Sequence, residues 1–143
     1  MILPDANLLL FAYYPRAAQH EASRTWLEAV LSGTDTVRFS WQTLWAFLRI
    51  STNAKVFEQP LSIDEASAAV SSWLERPNAG IVEPGERHLE ILRRLMEDAQ
   101  CSGPLVTDAA LAAIAIEHGG TLYTTDRDFS RFTGLAWKNP LEA

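Results

Sequence analysis

Four aspartates occupy positions where a folded α/β chain could bring them together. Asp5 follows the first short apolar run, Asp126 and Asp128 follow the last strongly β-prone run, and Asp108 stands at the start of a predicted helix. In an open parallel sheet, ligands bind outside the carboxyl ends of the strands. Carboxylates that converge repel one another unless a cation lies between them, and Mg²⁺ and Mn²⁺ prefer oxygen ligands. A metal held there can lower the pKa of a water and hold a scissile phosphate, an arrangement that two-metal nucleases use.

Each aspartate also has an ordinary structural interpretation. Asp108 is a good N-cap for the helix that follows it, and most such aspartates only cap. Asp126 and Asp128 lie in the run Thr-Asp-Arg-Asp-Phe, which is typical of a turn, and Asp5 could end its strand in a turn. Taken singly, none of the four decides between the two interpretations. Together they favour a site, because all fall at the same predicted edge of a sheet.

The elements that must position these side chains alternate between short strands and helices. Strands are predicted at residues 2–5, 36–41, 79–82, 121–125 and 135–137, and helices at 20–31, 43–51, 62–76, 87–100 and 109–118, with 6–13 as a helix or a tight turn. Ser62 and Glu65 have the spacing of a capping box, and Gly33 and Gly119 close two of the helices. The alternation is typical of an α/β layer with a mostly parallel sheet.

Two groups of apolar residues lead to predictions about packing. One group has core spacing in the helix at 87–100: Leu89, Leu92, Leu95, Met96 and Ala99. The other is a set of tryptophans in or beside helical segments: Trp26, Trp41, Trp45 and Trp73. We expect the tryptophans to fill the core, and the alternative is an aromatic groove that accepts a segment of a partner protein.

The bulk composition limits the compartment and the kind of nucleic-acid contact. The chain has 143 residues, 48% of them hydrophobic, with a formal net charge of −6, which fits a single domain over residues 1–143. The lone Cys101 cannot form an internal disulfide, and the N-terminus lacks signal-peptide features, so the predicted location is cytoplasmic. Proteins that bind nucleic acid through their whole surface are usually basic, so contact here would need a local patch or a bound metal.

Three blocks of the sequence, in order, resemble the acidic motifs of PIN-domain nucleases. They read MILPDAN at 1–7, LVTDAALAA at 105–113 and TTDRDFSRF at 124–132. Their spacing and the chain length are similar to the VapC toxins of bacterial type II toxin–antitoxin pairs. The resemblance covers nearly the whole chain and implies an α/β, PIN-like, three-layer α/β/α fold with a short parallel central sheet.

The resemblance also implies a function and partners. It implies an endoribonuclease that hydrolyses RNA phosphodiester bonds with Mg²⁺, or Mn²⁺, as its cofactor. It implies neutralisation by a VapB-like antitoxin and assembly as a homodimer. A membrane is not among the implied partners, and the apolar run at 8–14 is far too short to span one.

By position, the resemblance gives roles to particular residues. It makes Asp5 and Asp108 the principal metal ligands and places Asp126 and Asp128 where the family has its last acidic residue. The family has Asp or Asn at the first of these positions, so the resemblance does not rank the two: Asp126 is the third expected ligand, and both aspartates are catalytic candidates. The groups expected around them are Asn7 and Thr107, which would hold the ligands by hydrogen bonds, and Arg49, which either contacts phosphate or pairs with a surface carboxylate.

One segment departs from the family pattern. Many members carry a glutamate on the helix after the second strand, and Ala46 stands at that place here, with no acidic residue between Asp35 and Glu58. Either three aspartates suffice, or Gln42 holds a metal-bound water, or activity is weaker. The alternative function is therefore a catalytically weakened PIN-like module that binds RNA or protein without cleaving. Carboxylate-rich phosphatases on similar sheets commonly have a nucleophilic aspartate followed two residues later by a second aspartate. Here Asn7 stands two residues after Asp5, which disfavours a phosphatase.

Overall fold

A computed structural model describes residues 1–142 as alternating strands and helices. The strands are β1 (Ile2–Pro4), β2 (Val37–Ser40), β3 (Ala79–Val82), β4 (Thr121–Tyr123) and β5 (Trp137–Lys138). The α-helices are α1 (Ala6–Ala12), α2 (His20–Ser32), α3 (Trp41–Ser51), α4 (Ile63–Leu74), α5 (His88–Ala99) and α6 (Leu105–Glu117), and a short 3₁₀ helix spans Arg127–Arg131. No helix among these residues has the length and apolar character needed to cross a membrane.

The five strands form one parallel sheet whose central strand is the first in the sequence. The strand order is β3-β2-β1-β4-β5, and every adjacent pair is parallel. The chain thus builds outward from β1 to β3 on one side and returns to place β4 and β5 on the other. The carboxyl ends of β1 and β4 lie side by side at this reversal, which is where open α/β sheets bind ligands. The predicted parallel sheet is confirmed.

Helices cover both faces of the sheet, because successive strand residues point to opposite sides. On β1, Ile2 packs in the cluster that contains residues of α1, α2, α3 and α4, whereas Leu3 packs in the cluster that contains residues of α5 and α6. Phe39 on β2 and Leu122 on β4 are fully buried on these two sides. The result is the predicted three-layer α/β/α arrangement.

Strand β2 passes directly into α3 at Ser40. The Ser40 hydroxyl accepts a hydrogen bond from the Thr43 amide at 3.2 Å, so Ser40 is the N-cap and Trp41 is the first helical residue rather than the end of a strand. Trp41 and Trp45 lie one turn apart on the outer face of α3 and are 41% and 63% exposed. The prediction that they fill the core is wrong, while Trp73 is buried as predicted.

Two predictions about α5 and α6 are also wrong. Leu89 is 74% exposed, because the buried side of α5 is centred on Ile91 and Leu95. Helix α6 begins at Leu105 and has Pro104 at its N-cap, so Asp108 does not cap it. Proline suits a helix start because its fixed φ is helical and its missing N–H would have no partner there. Asp108 instead lies one turn inside the helix.

Candidate active site

Asp5 stands where β1 becomes α1, and both of its carboxylate oxygens are engaged. Oδ1 accepts a hydrogen bond from the Ala6 amide at 2.8 Å, as an N-cap does, and Oδ2 accepts one from the Thr124 hydroxyl at 2.8 Å. The Asp5 amide donates to the Tyr123 carbonyl at 2.9 Å, which extends the β1–β4 pairing by one residue. Backbone and side-chain contacts together fix the direction of this carboxylate.

The hydroxyl of Thr124 joins three residues of the site. It donates to Asp5 and accepts from the Asn7 side-chain amide at 3.3 Å and from the Asp126 backbone amide at 3.0 Å. Thr124 is completely buried. Sequence analysis missed this residue, although a hydroxyl residue two positions before Asp126 is a recognisable turn former. Its contacts to Asp5 and Asn7 required knowledge that β1 pairs with β4.

Asn7 contacts the same hydroxyl and also has a buried oxygen. Its Nδ2 donates to Thr124, whose hydroxyl proton goes to Asp5, so the network fixes which amide atom faces Thr124. Its Oδ1 is buried and has no hydrogen-bond partner among residues 1–142. Buried oxygens are usually satisfied by a donor, a water or an ion. Amide and carboxylate oxygens are both ligand types that suit a hard metal ion and its waters.

Asp126 and Asp128 differ in their surroundings. Asp126 is partly buried and caps the 3₁₀ helix, with Oδ1 accepting from the Asp128 amide at 2.9 Å. The Asp128 side chain is 69% exposed, and its Oδ2 lies 3.8 Å from a guanidinium nitrogen of Arg131. Of the two, Asp126 is therefore placed among the buried groups, and Asp128 lies at the rim.

Electrostatics indicates that three carboxylates share one region. Burial raises the pKa of Asp5, and the charges of Asp108 and Asp126 raise it further, against the hydrogen bonds from Thr124 and Ala6. Burial also raises the pKa of Asp108, followed by the charge of Asp126, while Arg131 opposes the shift and Asp128 adds a smaller increase. Carboxylates whose pKa is raised by burial and by neighbouring acidic charges are typical of functional sites, and a cation relieves the repulsion between such charges.

The comparisons with known proteins identify the family. A model of the PIN domain matches residues 2–135. The chain belongs to the PIN-domain family. Ribonuclease VapC37 of Mycobacterium tuberculosis (strain ATCC 25618 / H37Rv) is a similar protein, 41% identical over 140 residues that cover 98% of this chain and 97% of that relative. The family resemblance drawn from three sequence blocks is confirmed.

Solved structures share the PIN fold with this chain. VapBC2 from Rickettsia felis, bound to a DNA fragment from its promoter, aligns with a TM-score of 0.71 at 18% identity and covers 97% of this chain and 98% of that chain. A toxin–antitoxin complex from Klebsiella pneumoniae aligns with a TM-score of 0.66 at 20% identity, with 98% of each chain covered. At these identities the likeness supports the fold alone.

The side chains of residues 1–142 do not by themselves surround a metal ion. Among residues 1–142, no three histidine, cysteine or acidic groups approach closely enough to surround an ion. Mg²⁺ keeps several waters and is usually bound through one or two carboxylates, so it does not require such a cage. The raised pKa values of Asp5 and Asp108 and the buried Asn7 oxygen fit an ion bound largely through water.

The remaining candidates lie on α3 and α6 of the PIN domain. The Thr107 side chain is exposed, and its contact in this region is through its carbonyl, which accepts from the Gln42 side-chain amide at 3.0 Å. Arg49 is exposed in the last turn of α3. Ala46 is half-buried one turn after Gln42. Helix α3 thus extends an amide, and no carboxylate, toward α6.

Proposed function

We propose that this PIN-domain chain is a Mg²⁺-dependent endoribonuclease and the toxin of a type II toxin–antitoxin pair. The observation that carries the proposal is that Asp5 lies buried close enough to Asp108 and Asp126 for both charges to raise its pKa, with the buried, unpartnered oxygen of Asn7 two residues away in the described chain. The similar protein VapC37 is named a ribonuclease, and a structure with the same fold is a toxin–antitoxin complex. Both support this assignment.

The proposed chemistry is hydrolysis of an RNA phosphodiester bond. Asp5, Asp108 and Asp126 would hold the metal, which supplies positive charge for the scissile phosphate and makes a water more acidic. Thr124 keeps Asp5 and the Asp126 backbone in fixed relation, so the ligands need little reorganisation when the substrate arrives. Asp128, exposed at the rim, would only pass a proton on to solvent, a role that bulk water can largely fill.

Local positive charge compensates for the acidic chain. The formal net charge of −6 opposes RNA binding over the surface as a whole. Arg131 is one-third exposed and close enough to lower the pKa of Asp108, so its guanidinium faces the same region as the carboxylates. Arg131 and the exposed Arg49 are the groups that we expect to contact phosphates beside the scissile bond.

The proposal includes the partners and the compartment. A VapB-like antitoxin would neutralise the enzyme, and the toxin would act as a homodimer. The exposed Trp41 and Trp45 are suited to anchor a protein interface, since aromatic side chains are enriched at such anchors. The buried free thiol of Cys101 is consistent with action in the reducing cytoplasm, where the RNA substrate is found.

A second candidate is a PIN-domain module that binds RNA or protein without cleaving it. It is favoured by α3, which carries Ala46 and Gln42 and no acidic residue. With fewer carboxylates the site could bind its ion too weakly for catalysis.

A cleavage assay separates the two candidates. Purified chain, free of any partner, is incubated with labelled RNA in Mg²⁺, Mn²⁺ or EDTA, beside Asp5→Asn and the control Asp35→Asn, which changes an exposed loop aspartate. The nuclease proposal expects discrete fragments that require metal, persist in Asp35→Asn and vanish in Asp5→Asn. An inert wild-type chain that still binds RNA would favour the binding module, and cleavage that survives EDTA would refute the metal mechanism.

A further inference from the structure

One hydrogen bond connects the two helical layers beside the carboxylates. Gln42, in the first turn of α3, donates from Nε2 to the carbonyl of Thr107, in the first turn of α6, at 3.0 Å across 65 residues of sequence. The buried residues of α3 pack on one side of the sheet and those of α6 on the other. The contact therefore spans the carboxyl edge of the sheet, where the two layers meet.

The aspartate that follows Thr107 is held differently from its partners. Asp5 and the Asp126 backbone share the Thr124 hydroxyl, whereas the Asp108 carboxylate makes no hydrogen bond within residues 1–142. The start of α6 also lacks a side-chain cap, because its N-cap is Pro104. The direction of Asp108 thus depends on where the first turn of α6 lies. The buried residues from Ala109 onward hold the body of the helix, and the Gln42 amide binds the carbonyl of its first turn.

We propose that Gln42 is a positioning residue that fixes Asp108 against Asp5 and Asp126 by binding the Thr107 carbonyl. The inference rests on the proposed function and concerns how its site is held. A carbonyl accepts and cannot donate, so the partner must be a donor, which a glutamine amide provides and an ionised carboxylate does not. Helix α3 therefore helps to orient an existing ligand, Asp108. It does not supply a further carboxylate, because Ala46 stands where many family members have a glutamate.

The test compares metal binding with local opening of α6. Mn²⁺ affinity is measured by calorimetric titration, and hydrogen exchange at the amides of residues 108–111 is measured on the metal-free chain. In Gln42→Met, which keeps the length and removes the donor, we expect Mn²⁺ binding to weaken about 10- to 100-fold, as for other groups that orient metal ligands. Exchange at these amides should rise about 2- to 10-fold, the factor that one ordinary hydrogen bond contributes.

Two further variants make the result specific. Gln19→Met is the matched control, because Gln19 is exposed and makes no side-chain capping bond, and it should leave both measurements unchanged. Gln42→Glu keeps the shape but cannot donate when ionised, so it should bind Mn²⁺ no more tightly than Gln42→Met. Tighter binding by Gln42→Glu than by the wild type would instead make residue 42 a ligand position and overturn the proposal.

The Asp108→Asn variant separates failure of this inference from failure of the proposed function. If Asp108→Asn keeps wild-type Mn²⁺ affinity, the carboxylate site itself is wrong and the role of Gln42 falls with it. If Asp108→Asn loses Mn²⁺ while Gln42→Met keeps wild-type affinity and exchange, only the positioning role is overturned. Thermal melting of each variant confirms that it is folded, and Gln42→Ala serves as a second removal of the donor.

Discussion

The two halves of the candidate site are held in opposite ways. At the ends of β1 and β4, Asp5, Asn7 and Asp126 meet around one buried hydroxyl, that of Thr124. At the starts of α3 and α6, the Asp108 carboxylate has no hydrogen bond within residues 1–142, and the Gln42 amide of α3 binds the Thr107 carbonyl of α6. The strand half is built by adjacent sheet positions, and the helix half depends on how two separate layers dock.

The difference teaches where rigidity in this site comes from. Parallel strands hold their neighbours at a fixed spacing, so residues directly after β1 and β4 are placed by the sheet itself. A helix start can shift by rotation or by fraying of its first turn, where backbone groups lack intrahelical partners. We therefore expect changes in the strand half to cost both activity and folding stability, and changes in the helix half to cost metal affinity with little loss of stability.

The largest expected effect distinguishes the two aspartates after β4. Asp126→Asn should lower the RNA cleavage rate about 1,000-fold, because a bound metal contributes several kcal/mol to the transition state. Asp128→Asn should change it only a few-fold, since this side chain is 69% exposed at the rim. Initial rates on a labelled oligonucleotide in Mg²⁺ measure both. If Asp128→Asn lowered the cleavage rate more than Asp126→Asn, the metal ligand after β4 would be Asp128 instead.

A smaller loss of activity is expected when the Thr124 hydroxyl, which joins Asp5, Asn7 and Asp126, is removed. Thr124→Val keeps the shape and leaves Asp5, Asn7 and the Asp126 amide without their shared partner, so activity should fall about 10- to 100-fold. The free energy of unfolding should fall by about 1–3 kcal/mol, the cost of leaving buried polar groups unpaired. Cleavage rates and urea denaturation measure these changes.

Thr125→Val is the control for this change, because Thr125 is the neighbouring threonine and is less buried. If Thr124→Val and Thr125→Val change the cleavage rate and the free energy of unfolding equally, the Thr124 hydroxyl does not hold the strand half in place. The proposed contrast between the two halves would then be wrong.

Metal binding should stabilise the folded chain through both halves at once. A ligand that binds only the native state at 100 times its dissociation constant raises the free energy of unfolding by about 2.7 kcal/mol. We expect Mg²⁺ to raise the Tm of the wild type by several degrees and to leave Asp108→Asn unchanged. Differential scanning fluorimetry with and without EDTA measures this. An equal Mg²⁺-dependent rise in Asp108→Asn would show that the helix half takes no part in binding.

The smallest expected effect is a dependence of metal-free stability on pH. Burial and neighbouring charges raise the folded pKa of Asp5 and Asp108, so the folded state binds more protons than the unfolded state, whose aspartates titrate near about 3.9. Their contribution is fully present below that value and is lost as pH rises through the raised pKa. Urea midpoints in EDTA across this window should therefore fall less steeply in Asp108→Asn than in wild type. Identical slopes in the two proteins would contradict a raised pKa for Asp108 in the folded state.

The strand half was largely predictable, and the helix half was not. The β-prone runs, the aspartates after them and the capping box at Ser62 follow local rules of period, turn and capping, and the structure contains each of those elements. Thr124 was missed because its partners lie 117 and 119 residues away and only the pairing of β1 with β4 brings them close.

The helix half depends on docking, which leaves no local pattern. The start of α6 was placed too late because Asp108 looks like a cap, whereas Pro104 takes that position. The helical period identified a buried side of α5 but could not exclude Leu89 from it, and it could not place Trp41 and Trp45 on the outside of α3. The Gln42 contact joins residues 65 positions apart on helices of different layers.

The central position of β1 has a consequence for the order of events during synthesis. Asn7 and Asp5 are synthesised 117 and 119 residues before their partner Thr124, which belongs to the segment that follows β4. Until that segment is made, the middle of the sheet lacks a neighbour on one side and the Asp5 carboxylate lacks its hydroxyl. The carboxylates at the ends of β1 and β4 therefore come together only after β4 and the residues that follow it have been synthesised.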